Sequence, residues 1–80
     1  DEYQNLVSVF PNPIENQFRI EFQGKMKKLQ MFDPKGSEVA FDLLESSNEA
    51  SIRGNFKLGV YILMLELQDG TRLSKKLVKI

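Results

Sequence analysis

Eighty residues without a single cysteine or histidine leave room for one domain and exclude disulfide staples, thiol nucleophiles, imidazole bases and His- or Cys-held zinc. Eleven basic and eleven acidic side chains cancel, which argues against a dedicated nucleic-acid binder and its basic excess. At 41% hydrophobic and 28% charged, the chain is too apolar for disorder, and no apolar run approaches the ~20 residues of a membrane helix.

In chain order, the polar opening Asp1-Glu2-Tyr3-Gln4-Asn5 is unlike a signal peptide. Residues 1–5 are expected to be a linker remnant of a longer precursor, with 1–80 forming one domain. A first strand near 6–10 runs into Pro11-Asn12-Pro13, where two prolines fix φ and push Phe10 and Asn12 toward extended conformations. Phe18, Ile20 and Phe22 alternate with Arg19 and Glu21, which predicts a strand over 17–22 with one apolar face. The turn signal Gln23-Gly24-Lys25 leads to a strand over 26–32. Asp33-Pro34-Lys35-Gly36 suits a type I turn, with Pro34 presetting φ and Gly36 in the left-handed position. Phe32, just before it, is expected to cover the rim of the core.

Val39, Phe41 and Leu43 alternate with Ala40 and Asp42, predicting a strand over 38–44. The best helical rival is a short turn within Leu43-Leu44-Glu45-Ser46-Ser47. Ser46-Ser47-Asn48 reads as a looser loop before a strand over 49–53. The run 59–67 is apolar on both faces until Glu66: Tyr61, Leu63, Leu65 and Leu67 on one, Val60, Ile62 and Met64 on the other. Such a strand is expected to be central and covered on both faces. Asp69-Gly70 predicts a two-residue hairpin into a last strand over 71–80. About seven short strands with turns every 8–12 residues predict an all-β, immunoglobulin-like antiparallel β-sandwich.

Catalytic equipment is lacking. Ser74 beside Lys75-Lys76 does not make a Ser-Lys pair, because neighbours on a strand point to opposite faces. Glu45 with Glu49 could form a carboxylate pair, but a sandwich this small offers little cleft, and these acids and Asp33 read as solvated turn residues rather than calcium ligands. No enzyme activity, metal or cofactor is expected. Charge is unevenly spread: 37–52 holds Glu38, Asp42, Glu45 and Glu49 with no base, and 72–80 holds Arg72, Lys75, Lys76 and Lys79 with no acid. The basic end reads as a solvated strand edge or as a recognition patch.

Four segments, in order, resemble the C-terminal sorting domain (type A) of proteins exported by the type IX, or Por, secretion system. Val9-Phe10-Pro11-Asn12-Pro13 resembles its Y/F-P-N-P opening, and Leu29 to Val39, through Phe32-Asp33 and Gly36, its hydrophobic-x-hydrophobic-Y/F-D-x-x-G-x-x-V segment. Leu58-Gly59-Val60-Tyr61 is similar to L-x-x-G-x-Y, with Leu58 directly before the glycine as a departure. Asp69-Gly70 and Lys75-Lys76-Leu77-Val78-Lys79-Ile80 resemble the closing hairpin and basic terminal strand. Pro11, Asn12, Pro13, Asp33, Gly36, Gly59, Tyr61 and Gly70 are read as maintaining the fold. Gly59 is expected to allow close backbone approach or a bulge, and Tyr61 to bury its ring and hydrogen-bond its hydroxyl. Lys75-Lys76 interrupts the alternation of the last strand, so a bulge or an edge strand is expected there.

The resemblance implies an address label of Bacteroidetes, with no active residue of its own. The parent cargo would reach the periplasm, the translocon in the outer membrane would recognise the folded domain, and a sortase-like peptidase would usually cut it off and join the cargo to lipopolysaccharide at the cell surface. Some members keep the domain as components of the apparatus. The family needs its last residues for recognition, which points to Lys75, Lys76, Val78, Lys79 and Ile80 as contacts. The alternatives are an adhesion or carbohydrate-binding module, for which tryptophan is missing and Tyr3 and Tyr61 have other roles, and an assembly module that dimerises by strand exchange.

Overall fold

The computed structural model describes residues 7–80, so Tyr3, Leu6 and the expected linker remnant lie outside the described residues. Alternation becomes strand where one face finds a core and the backbone finds a neighbouring strand to pair with. The strands are β1 (Val7–Phe10), β2 (Gln17–Phe22), β3 (Met26–Phe32), β4 (Asp42–Ser46), β5 (Glu49–Arg53), β6 (Gly59–Leu67) and β7 (Arg72–Lys79). They form two antiparallel sheets, ordered β1-β2-β5-β4 and β3-β6-β7. No helix occurs among the described residues. The order is that of an immunoglobulin-like sandwich, in which the first, second, fifth and fourth strands face the third, sixth and seventh.

Between the sheets, Phe18, Ile20 and Phe22 of β2 and Ala50 and Ile52 of β5 meet Met31 of β3, Tyr61, Leu63, Leu65 and Leu67 of β6, and Leu73 and Leu77 of β7. Each Leu, Ile, Phe or Met among them, taken fully out of water, contributes about 1.5–3 kcal/mol before the cost of ordering it. No charged or polar side chain is buried among the described residues. An aromatic chain ties the layers together: the Phe56 ring lies 5.8 Å from that of Phe18 on one sheet and 6.0 Å from that of Tyr61 on the other.

Three local expectations are corrected. The strand predicted over 38–44 instead spans Asp42–Ser46. Glu38 makes only an isolated bridge to Phe32, and Val39 donates its N–H to the Met31 carbonyl at 2.7 Å. Val39 and Phe41 alternate because they lap over the core from a connection, not because they belong to a ladder. The loop expected at Ser46-Ser47-Asn48 is a tight turn, for Ser46 pairs with Glu49. Asn48 takes φ of 62°, which asparagine tolerates better than most residues. The Asp69-Gly70 hairpin has three loop residues, not two. Gly70 N–H donates to the Leu67 carbonyl at 3.0 Å and Leu67 N–H to the Thr71 carbonyl at 2.8 Å. A two-residue type I′ turn needs positive φ at both central positions, and here Gly70 alone has it, at 94°.

Candidate functional site

The basic end of the chain forms β7, an edge strand that pairs with β6 without interruption from Gly59↔Lys79 to Glu66↔Arg72. Of the two readings of Lys75-Lys76, the edge strand therefore holds and the bulge does not. Alternation splits the candidate contacts between two faces. Lys75 and Lys79 follow the parity of Leu73 and Leu77, which are buried in the core, and both are half-buried. Lys76 and Val78 lie on the outer face, and Ile80 is exposed just beyond the strand. The five residues thus do not form one patch.

The free edge of β7 is itself partly closed. Ile14, buried in the core, donates its N–H to the Val78 carbonyl at 2.8 Å in a short parallel bridge. This is what Pro11-Asn12-Pro13 achieves. The three exposed residues carry the chain from β1, at the far edge of one sheet, across to Ile14 beside β7 on the other. Both X–Pro bonds, Phe10–Pro11 and Asn12–Pro13, are cis.

The remaining motif residues also shape the backbone. Asp33 accepts the N–H groups of Lys35 and Ser37 on Oδ1, each at 2.9 Å, and Gly36 N–H closes the turn onto the Asp33 carbonyl at 2.9 Å. Gly36 takes φ of 87°, as the turn predicted. Gly59 sits at φ of 141°, and a Cβ there would come no closer than 4.0 Å, to Pro34. Its requirement is thus the backbone angle; the expected close approach and bulge are both absent, the ladder beginning in register at Gly59↔Lys79. Tyr61 buries its ring near the start of β6 and donates its hydroxyl to the Lys57 carbonyl at 2.6 Å. That is the geometry of a tyrosine corner, which locks the chain as it enters the sixth strand of such sandwiches.

Sequence reasoning missed the outer face of the β3-β6-β7 sheet. The central strand β6 is covered on one face only: Val60 is 38% and Ile62 39% exposed, with Met64 half-buried beside them. Phe32 pairs with Ile62, so it lies on this outer face instead of covering the core rim. Cross-strand partners make rows across the sheet: Val60–Val78, then Phe32–Ile62–Lys76, Gln30–Met64–Ser74 and Lys28–Glu66–Arg72. The signal was present in the sequence as the apolar parity of Val60, Ile62 and Met64, but alternation alone does not say whether anything covers it.

Among the described residues, no group of three or more His, Cys, Asp or Glu is placed to hold a metal ion. Glu45 and Glu49 are not a pair: Glu45 lies opposite Ala50, while Glu49 meets Arg19 at 3.7 Å. In comparison with known families, residues 8–80 match the family described as the secretion system C-terminal sorting domain. No curated protein matches the chain.

Proposed function

The chain belongs to the family of type IX secretion system C-terminal sorting domains, and from that premise we propose that it acts as a folded export label, read by the outer-membrane translocon and then removed. The family's role is that of a cargo tail interacting with the type IX machinery, with export to the cell surface or the extracellular space. Such a tail is a non-catalytic substrate of the machinery. The finer steps are our reading. A sortase-like peptidase cuts upstream of β1, within or before the linker remnant at 1–5, and joins the parent cargo to lipopolysaccharide. Lys76 and Val78 on the sheet face contact the translocon, and Lys75, Lys79 and Ile80 make separate contacts away from that face.

The observation that carries this reading is the family match running through every strand of a fold in which Asp33, Gly36 and Tyr61 of the motifs hold the backbone. With the turn, crossover and corner residues occupied in this way, recognition falls to exposed side chains. Residues 1–80 fused behind a periplasmic reporter in a type IX-competent bacterium test the finer steps. The expected result is a reporter that gains a new C-terminus upstream of Val7, read by mass spectrometry, and migrates as a lipopolysaccharide ladder. A surface reporter that keeps the whole domain would contradict removal while leaving the sorting role in place.

A further inference from the structure

The uncovered face of the β3-β6-β7 sheet has a composition that selects its occupant. Its centre is apolar, with Val60, Ile62, Met64, Phe32 and Val78 in adjoining rows. Its border keeps a basic surplus: Lys28, Arg72 and Lys76 stand against two acids, Glu66 and Glu38, the latter bridged to Phe32 and accepting from the Gln30 amide at 3.4 Å. Glu66 already meets Lys27 at 3.7 Å and Arg72 at 3.8 Å. Lys28 and Lys76 have no ion-pair partner among the described residues. A contiguous apolar patch rimmed by polar groups marks an interaction surface, and potentials of opposite sign across an interface set its partner.

Resting on the sorting reading above, we propose that this sheet face, and not the backbone edge of β7, is the docking surface for a protein of the export machinery, one that presents an apolar centre bordered by carboxylates. Charge disfavours a second copy of the chain. Stacking the face on itself sets its surplus of positive charge against the same surplus, and like charges in an interface are repulsive. A lipid surface suits it less well, because Val60 and Ile62 are only 38% and 39% exposed and no Trp or Tyr projects from this face among the described residues. The edge of β7 is a weaker candidate, since Ile14 occupies part of it and lysines line it.

Surface delivery of the reporter fusion is measured for the unaltered domain, for Val60→Glu with Ile62→Glu, for Lys76→Glu, and for Glu21→Lys on the outer face of the other sheet. The inference expects the double variant and Lys76→Glu each to lower delivery about ten-fold or more, the scale of one lost contact worth 1.4 kcal/mol, with Glu21→Lys unchanged. Near-UV circular dichroism on the purified domains confirms folding; if the double variant does not fold, Lys76→Glu decides. Delivery of folded face variants at the unaltered level overturns the inference and leaves the sorting reading intact. An unaltered fusion that stays in the periplasm overturns both. Cosedimentation with anionic phosphatidylglycerol vesicles that Ile62→Glu abolishes, or a dimer that the same change splits into monomers, also overturns it, by naming a lipid or a second copy as the occupant.

Discussion

Tyr61 does two jobs at once, and each can be removed separately. Its ring packs on Phe56, and its hydroxyl holds the Lys57 carbonyl at 2.6 Å. Tyr61→Phe keeps the ring and loses the hydrogen bond, so unfolding should cost about 1 kcal/mol less. In a domain of this size that lowers the thermal midpoint by roughly 4–8 °C. Gly54 is constrained by the same aromatic cluster. A Cβ there would lie 2.6 Å from the Phe56 ring, which is buried between Phe18 and Tyr61 and has nowhere to turn. Gly54→Ala should destabilise by about 1–3 kcal/mol, measured by urea unfolding. The Tyr61 role was legible in the sequence. Those of Gly54, Phe56 and Asn16, whose Oδ1 accepts the Phe56 N–H at 3.2 Å, were not, because a loop carries no periodicity to betray burial.

The closing hairpin adds a pH dependence at the residue scale. The backbone N–H of Thr71, and after it the Thr71 hydroxyl, hold the Asp69 carboxyl below its ordinary value of 3.8. A folded-state value depressed in this way contributes stability that is complete above 3.8 and lost as pH falls through the lower folded value. Asp69→Asn should therefore be less stable than the unaltered domain at neutral pH, and the gap should narrow in strongly acidic buffer. Urea midpoints at the two pH values check it. A gap that stays constant would remove the carboxylate from the account.

At the scale of elements, β7 carries both structure and the candidate contacts, so deleting it answers nothing about recognition. Leu77 is 2% exposed, and all eight residues of the strand pair with β6. Leu77→Ala should cost about 2–5 kcal/mol by leaving a core cavity, whereas Lys76→Glu on the outer face should stay within about 0.5 kcal/mol. Thermal melts of the two variants make the comparison. Alternation located β2 and β6 because each buries one face, and turn signals bounded β3 and β5. It misplaced β4, whose residues are all exposed, Leu44 at 75% among them. The alternation of Val39 and Phe41 came instead from a connection lying across the core. Turn chemistry was read correctly at Asp33–Gly36, where glycine alone takes positive φ. It was read one residue short at Asp69-Gly70, since the aspartate is used as a side-chain acceptor for Thr71 and not as a second left-handed residue.

At the scale of the molecule, the outer face of one sheet is charged along its central strands, with Arg19 and Glu21 on β2 and Arg53 on β5, and apolar only at its edges, at Phe10 and Leu44, whereas the other groups its apolar side chains at the centre. On the docking proposal, that asymmetry is the direction from which the domain is recognised. Two-sided apolarity in β6 was visible in the sequence, but a covered central strand and an uncovered docking face share the same pattern. Only the sheet order, with nothing outside β3-β6-β7 among the described residues, separates them. The family's order of motifs supplied the sorting role, and the fold explains why those motifs are mainly backbone devices. The central claim is that residues 1–80 are sufficient as an export label. Protease accessibility of a reporter fused ahead of residue 1, compared in a type IX-competent strain and in the same strain without its outer-membrane translocon, tests it most directly. The account predicts a reporter exposed at the surface in the first strain and protected within the second, and a reporter equally protected in both would contradict it.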